Sequence, residues 1–199
     1  KTTLLKSLLG MVLPDSGQIT FRNQPIKKDW AYREQVGYMP QTGKYPEHMT
    51  LGQVIEMMID IRKSTSLHLD QDLLEAFGLR AQFFKRIRTL SGGTRQKLSA
   101  VLAFLFDPLV LILDEPTAGL DPVSSEQLKE KIQREKSKGK LILITSHILS
   151  ELEELITEVV YLQEGKLLFH QSWKSLQEQT GEKKLSKAIA SLMKTRSTI

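Results

Sequence analysis

The apolar and polar positions of this chain fall into two rhythms. Leu4, Leu5, Leu8 and Leu9 recur at helical spacing after Lys1-Thr2-Thr3, as do Leu51, Val54, Ile55, Met58 and Ile61, and then Leu98, Val101, Leu102 and Leu105. Short unbroken runs stand against them. Leu109 to Leu113 is too short for a helix and apolar enough to be buried on both faces, as a central strand of a parallel sheet is; Leu141 to Thr145 reads as a second buried strand. Gln18–Arg22 and Val36–Met39 are strand-like, separated by a polar loop and a short helical piece after Asp29. Val159–Gln163 and Lys166–Phe169 predict a hairpin around Glu164-Gly165. Strands alternating with helices predict an α/β fold around a mostly parallel sheet.

Punctuation agrees with that rhythm. Thr50 is an expected N-cap, and Asp70–Phe77 an expected helix closed by Gly78. Asp107-Pro108 breaks the helical spacing before the Leu109 run. Pro122 stands where a helix starts, and Val123–Lys138 reads as a polar helix ended by Gly139. From Trp173 onward the chain is polar and helical. The Met57-Met58 pair reads as core filling.

With 199 residues, 40% hydrophobic and 26% charged, the composition is that of one globular domain rather than two. The absence of cysteine excludes disulfides and thiolate metal sites. Runs such as Val101–Phe106 are far short of a membrane span, and no signal peptide is visible. The net charge of +5 is spread out and thickens at Lys183, Lys184, Lys187, Lys194 and Arg196. It reads as a solvated face, with contact to anionic lipid as the minor alternative.

Candidate chemistry collects where the Leu109 run ends in Asp114, Glu115 and Pro116. In open α/β sheets ligands sit beyond the carboxyl ends of strands. Upstream, Ser91-Gly92-Gly93 opens a helical stretch, where free N–H groups and the helix dipole favour a phosphate. The spacing from Ser91 to Asp114 is 23 positions, and His147 follows Asp114 by 33. In this order and spacing the residues resemble the motifs of the ATP-binding cassette (ABC) ATPases over roughly Lys1 to Phe169. Lys1-Thr2-Thr3 is similar to the end of the Walker A pattern G-x-x-x-x-G-K-S/T, Gln41 to the Q-loop, and Ser91-Gly92-Gly93 to the signature. Leu109–Glu115 is similar to the Walker B strand, Ala118–Asp121 to the D-loop, and Ser146-His147 to the switch histidine.

That resemblance implies a P-loop NTPase core over residues 1–170, with a helical subdomain over about 43–89 and a C-terminal helical extension over 171–199. It implies ATP and Mg²⁺ as ligands. Lys1 would meet the β- and γ-phosphates and Thr3 a phosphate. Thr2 and Asp114 would hold Mg²⁺ directly or through water, and Gln41 would reach the metal and the attacking water. Glu115 would polarise that water, and His147 would contact the γ-phosphate. Two cassettes would pack head to tail, as a homodimer or heterodimer, so that Ser91, Gly92 and Gly93 serve the partner's ATP; Asp121 belongs with the nucleotide-binding set. An integral membrane permease subunit is the implied partner, with the chain cytoplasmic and peripheral on the inner face of the membrane. The Walker A glycine loop, its strand and the adenine-stacking aromatic do not appear ahead of Lys1. The chain therefore reads as a fragment, and as one impaired in binding ATP.

Thr94 departs from the family's usual Gln at the fifth signature position. The string LSGGTRQK, the AFLF before the Walker B strand and the end Gln179-Thr180-Gly181-Glu182 are similar to the ATPase subunit of copper-processing ABC systems that serve nitrous oxide reductase maturation. No nucleic-acid partner is expected. ABC ATPases acting on DNA or ribosomes need a coiled-coil insertion or a second cassette, and only 50 positions separate Gln41 from Ser91. An inactive interaction module would be expected to lose Glu115 or His147, and both are present. Tyr45, Pro46 and His48 look exposed, which together with Glu47 makes the loop after Gln41 the expected surface for the permease.

Overall fold

The computed structural model describes residues 1–26, 30–62 and 69–197, with side chains to 194. Asp29, expected to precede a short helical piece, and the Arg196 side chain of the basic end lie outside the described residues. The strands are β1 (Thr20–Phe21), β2 (Gln24–Pro25), β3 (Val36–Met39), β4 (Val110–Asp114), β5 (Leu141–Thr145), β6 (Glu158–Gln163) and β7 (Lys166–Ser172). The α-helices are α1 (Thr2–Leu8), α2 (Leu51–Arg62), α3 (Asp72–Ala76), α4 (Gly92–Phe104), α5 (Pro122–Ser137), α6 (Trp173–Thr180) and α7 (Leu185–Ser197). Two compact units divide them: Thr2–Thr145, and Ser146–Ile199 together with Lys1.

In the first unit β3, β4 and β5 form a parallel sheet in that order, with Met39 opposite Leu113 and Asp114 opposite Thr145. Successive side chains of a strand point to opposite faces. Val36 and Ile112 meet Leu5 of α1 and Leu9 just beyond it on one face. On the other, α4 crosses so close to β3 that a Cβ on Gly37 would lie 2.0 Å from the Ala103 carbonyl oxygen. Only glycine permits that approach. The result is a parallel sheet between helices, the α/β core of a P-loop NTPase.

Four expectations are adjusted by packing. β5 is half-buried rather than buried, and Leu141 is 66% exposed, because among the described residues β5 pairs on one edge only, with β4. The strand expected over Gln18–Arg22 is a hairpin, β1 with β2, whose turn residues Arg22 and Asn23 have φ of 49° and 63°, the left-handed pair that a two-residue turn requires. The helix expected from Asp70 starts at Asp72. The Asp70 N–H donates to the Leu105 carbonyl at 2.8 Å, and its carboxylate accepts the Asp72 N–H at 3.1 Å, which holds Asp70 outside the helix. Ile61, placed on the apolar stripe of α2, is 67% exposed, while Leu51, Val54 and Ile55 carry the burial. Thr50 caps α2 as expected, in a reciprocal pair: the Gln53 N–H donates to Thr50 Oγ1 at 3.2 Å and the Thr50 N–H to Gln53 Oε1 at 2.9 Å.

In the second unit β6 and β7 form the antiparallel hairpin, with β6 starting one residue earlier and β7 ending three residues later than the pattern predicts, and with Glu164 and Gly165 at its turn (φ 49° and 77°). Ser172 caps α6 by accepting the Ser175 N–H at 3.1 Å, and α6 packs against α7.

Candidate functional site

The carboxyl end of β4 delivers two buried acids. Asp114 is 4% exposed and accepts a hydrogen bond from the Thr145 hydroxyl, its neighbour across the ladder. Glu115 is 8% exposed and lies at φ 54°. Its N–H donates to the Thr145 carbonyl at 3.0 Å, and its own carbonyl accepts the Ala118 N–H at 3.1 Å. A side chain larger than glycine in that left-handed region costs about 1–3 kcal/mol, and such strain concentrates at functional positions. Burial raises the Tyr38 phenol above its ordinary pKa, and the Asp114 carboxylate adds to the shift.

A second segment leans on this turn. Ser91 caps α4, accepting the Thr94 N–H at 3.1 Å, and its hydroxyl lies 2.9 Å from Thr94 Oγ1. Thr94 thus supports the cap through its own hydroxyl. Ser91 and Gly92 are exposed, so the start of this 13-residue helix is open to solvent. Gly93 is not open: a Cβ there would lie 2.9 Å from the Gly119 carbonyl oxygen. One turn on, the Gln96 side-chain amide donates to the Glu115 carbonyl at 3.4 Å. Lys97 forms an ion pair with Asp121 at 2.8 Å. Asp121 also caps α5, accepting the Ser124 N–H at 3.0 Å and the Ser124 hydroxyl at 2.8 Å. The Lys97 ammonium first, and then these Ser124 donors, hold the Asp121 carboxyl far below the usual carboxylate range.

Asp114, Glu115, Ser91, Gly92, Gly93 and Asp121 are therefore brought into one neighbourhood. Gln41 is exposed two residues beyond Met39, at the same carboxyl edge of the sheet. Thr2 and Thr3 are exposed at the start of α1, which Leu5 and Leu9 seat on the sheet. Lys1 and the exposed His147 belong to the second unit.

Tyr45 differs from expectation: it is half-buried, turned onto α4, with its hydroxyl 2.7 Å from Ser99 Oγ. His48 does face outward. With Met49, Gln53, Glu56, Met57, Asp60 and Ile61 it lines a groove of about 490 Å³ along α2. Gln96, Lys97 and Thr145 are site-forming residues without a sequence signal, because their partners are set by the tertiary crossing of α4 and the β4–β5 register. Among the described residues no group of three or more His, Asp or Glu could hold a metal, and no helix is long and apolar enough to cross a membrane.

The sequence model of the family described as ABC transporter matches residues 1–118. The probable multidrug ABC transporter ATP-binding protein YbhF of Escherichia coli K12 is 36% identical over 180 residues, 88% of this chain and 31% of that protein. The uncharacterized ABC transporter ATP-binding protein YhaQ of Bacillus subtilis 168 is 31% identical over 189 residues, 94% of this chain and 63% of that protein. The chain thus spans less than two thirds of the length of either relative. A solved structure described as the ATP binding subunit of an ABC transporter superposes with a TM-score of 0.87 at 28% identity, covering 97% of this chain and 83% of that one. The chain belongs to the ABC transporter family, among its ATP-binding subunits.

Proposed function

We propose that this subunit hydrolyses ATP to ADP and phosphate and so drives a transport cycle. The reading is carried by the strained, buried Glu115 beside buried Asp114 at the carboxyl edge of β4. A pair of carboxylates suits Mg²⁺, which takes one or two carboxylates plus substrate phosphates and keeps the rest of its shell as water. Bound there, Mg²⁺ offsets the charge on the phosphates. Asp114 and Thr2 would hold the ion, Gln41 would orient water beside it, and Glu115 would polarise that water for in-line attack. By the family resemblance alone, Lys1 and Thr3 would meet the phosphates and His147 the γ-phosphate.

In the proposed arrangement the exposed start of α4 serves a partner's phosphate, with Ser91, Gly92 and Gly93 completing the partner's site. Two cassettes, identical or not, then pack head to tail, with Asp121 at the shared boundary. Ser91→Arg is expected to abolish turnover in a dimer of this chain without unfolding it. Mixed with Lys1→Ala subunits, it should recover at most one working site per heterodimer. Independent hydrolysis by each subunit, read as turnover in proportion to the intact Lys1 present, overturns the arrangement.

The groove along α2 is the proposed seat of an integral membrane permease subunit, with the chain proposed to lie on the cytoplasmic face of the membrane. Met49, Met57 and Ile61 offer apolar contact, while Glu56 and Asp60 set a negative rim. A short amphipathic segment with a basic residue fits that chemistry. The narrower copper-processing reading rests on the LSGGTRQK and AFLF strings and on the end Gln179-Thr180-Gly181-Glu182. Copper-dependent stimulation of ATPase activity in the assembled transporter, against none with zinc or manganese, is its test.

A further inference from the structure

The contact between Tyr45 and Ser99 joins two segments that the proposed chemistry assigns to different nucleotides. Tyr45 lies four residues after Gln41, on the loop leaving β3. Ser99 lies on α4, two turns after the Ser91 cap, and is 0% exposed. The Ser99 hydroxyl donates to the Arg95 carbonyl at 3.1 Å. The Tyr45 hydroxyl lies 2.7 Å away, so the two hydroxyls share a hydrogen bond. Burial raises the Tyr45 pKa, and the Ser99 contact lowers it less. The phenol therefore stays protonated and able to donate at neutral pH.

The loop has no slack at this point. A Cβ on Gly43 would lie 2.2 Å from Ser99 Oγ and 2.7 Å from the Tyr45 ring. Gly43 and Tyr45 thus form a flush seat on the second turn of α4, and any shift of the Gln41 loop moves against that helix. The same helix holds the Glu115 carbonyl through Gln96 and abuts Gly119 through Gly93.

We propose that Tyr45 is a positioning residue, whose hydrogen bond to Ser99 ties the Gln41 loop to the helix bearing Ser91 and so passes the occupancy of one nucleotide site to the other. This rests on the reading that Gln41 serves the chain's own ATP and Ser91 the partner's. A link that touches no nucleotide acts on the concerted step rather than on binding.

The test uses the assembled transporter with Tyr45→Phe, which removes one oxygen and keeps the ring, Ser99→Ala, and the pair combined. Each single variant should lower turnover at saturating ATP by about 2- to 10-fold, the range that one net hydrogen bond supports. The Hill coefficient for ATP should fall toward 1, with nucleotide affinity of the isolated subunit unchanged. The double variant should be no worse than either single, since all three break one bond. A wild-type Hill coefficient retained in both single variants, or losses that multiply in the double, overturns the link. Absence of turnover in the wild type overturns instead the proposed ATPase function. Thermal melting of each variant separates a folding defect: a lowered midpoint with an intact Hill coefficient also counts against the link.

Discussion

The two ends of β4 both bury carboxylates, and they treat them in opposite ways. Beyond the amino end, Glu135 on α5 is 0% exposed and meets three ammonium groups: Lys131 at 3.0 Å, Lys138 at 2.8 Å and Lys140. Lys140 also pairs with Asp107, just before β4, and Lys131, 1% exposed, pairs with Asp70 and with Asp72 at 2.9 Å. Burial alone would raise the Glu135 pKa, but the three cations reverse this and hold it at about 2. At the carboxyl end Asp114 is met by a hydroxyl and Glu115 sits on strained backbone. A carboxylate answered by cations from its own chain is structural, because its charge is already balanced. One met by a neutral hydroxyl keeps its charge for a cation or a proton that arrives later.

The largest expected effect tests the reactive end. Glu115→Gln preserves shape and cannot accept a proton. Turnover should fall on the order of 10²–10⁴-fold while ATP binding persists. ATP should then accumulate unhydrolysed in a stable dimer, measured by single-turnover assay and by size. Near-normal turnover would move Glu115 into the same structural class as Glu135.

The structural end should show the converse. Glu135→Leu leaves the buried Lys131 and the largely buried Lys140 ammonium groups, and the exposed Lys138, short of a partner, and breaking a buried pair from one side costs about 3–5 kcal/mol. The denaturant midpoint should drop, while the folded fraction keeps its nucleotide affinity. The acid response follows from the depressed pKa. Glu135 releases its proton near pH 2 when folded and at an ordinary 4.5 when unfolded. Its stabilisation is therefore complete above pH 4.5 and is lost as pH falls toward 2. Melting curves of the variant should lack that component. An unchanged acid limb would remove Glu135 from the charge balance.

The same contrast marks what could be read from sequence. Features encoded within a few residues were legible: the Leu109 run, the Thr50 cap, Ser91 and Pro122 opening helices, and glycines closing others. The Asp114–Glu115 pair was legible because a strand end followed by acids is a local pattern. The charge cluster was not. Lys131 and Glu135 lie on a helix that reads as polar and solvated, and their burial depends on Asp70, 61 positions away from Lys131. Tyr45 failed for a related reason: an aromatic among turn residues looks exposed until α4 supplies Ser99 and Gly43 supplies room. The Arg22-Asn23 turn lacks the usual glycine, so its left-handed residues gave little signal.

The smallest effect concerns Thr145, which stands between the two treatments. Its hydroxyl is the hydrogen-bond donor to Asp114, and its carbonyl receives the Glu115 N–H at 3.0 Å. Thr145→Val keeps the β-branched shape that suits a strand and the backbone bond that holds Glu115, and it removes only the donor. A buried acceptor stripped of one partner costs about 1–3 kcal/mol, less than the Glu135 change because no charge pair is broken. Losing a neutral donor also leaves Asp114 more dependent on a cation. The variant should therefore be less stable in the absence of Mg²⁺ and nucleotide, and should regain part of that loss when both are added, by the linkage of binding to folding. Paired thermal melts with and without Mg-nucleotide measure this. A loss as large as that of Glu135→Leu, insensitive to Mg-nucleotide, would mean that Asp114 is a structural acid and that the two ends of β4 are not different in kind.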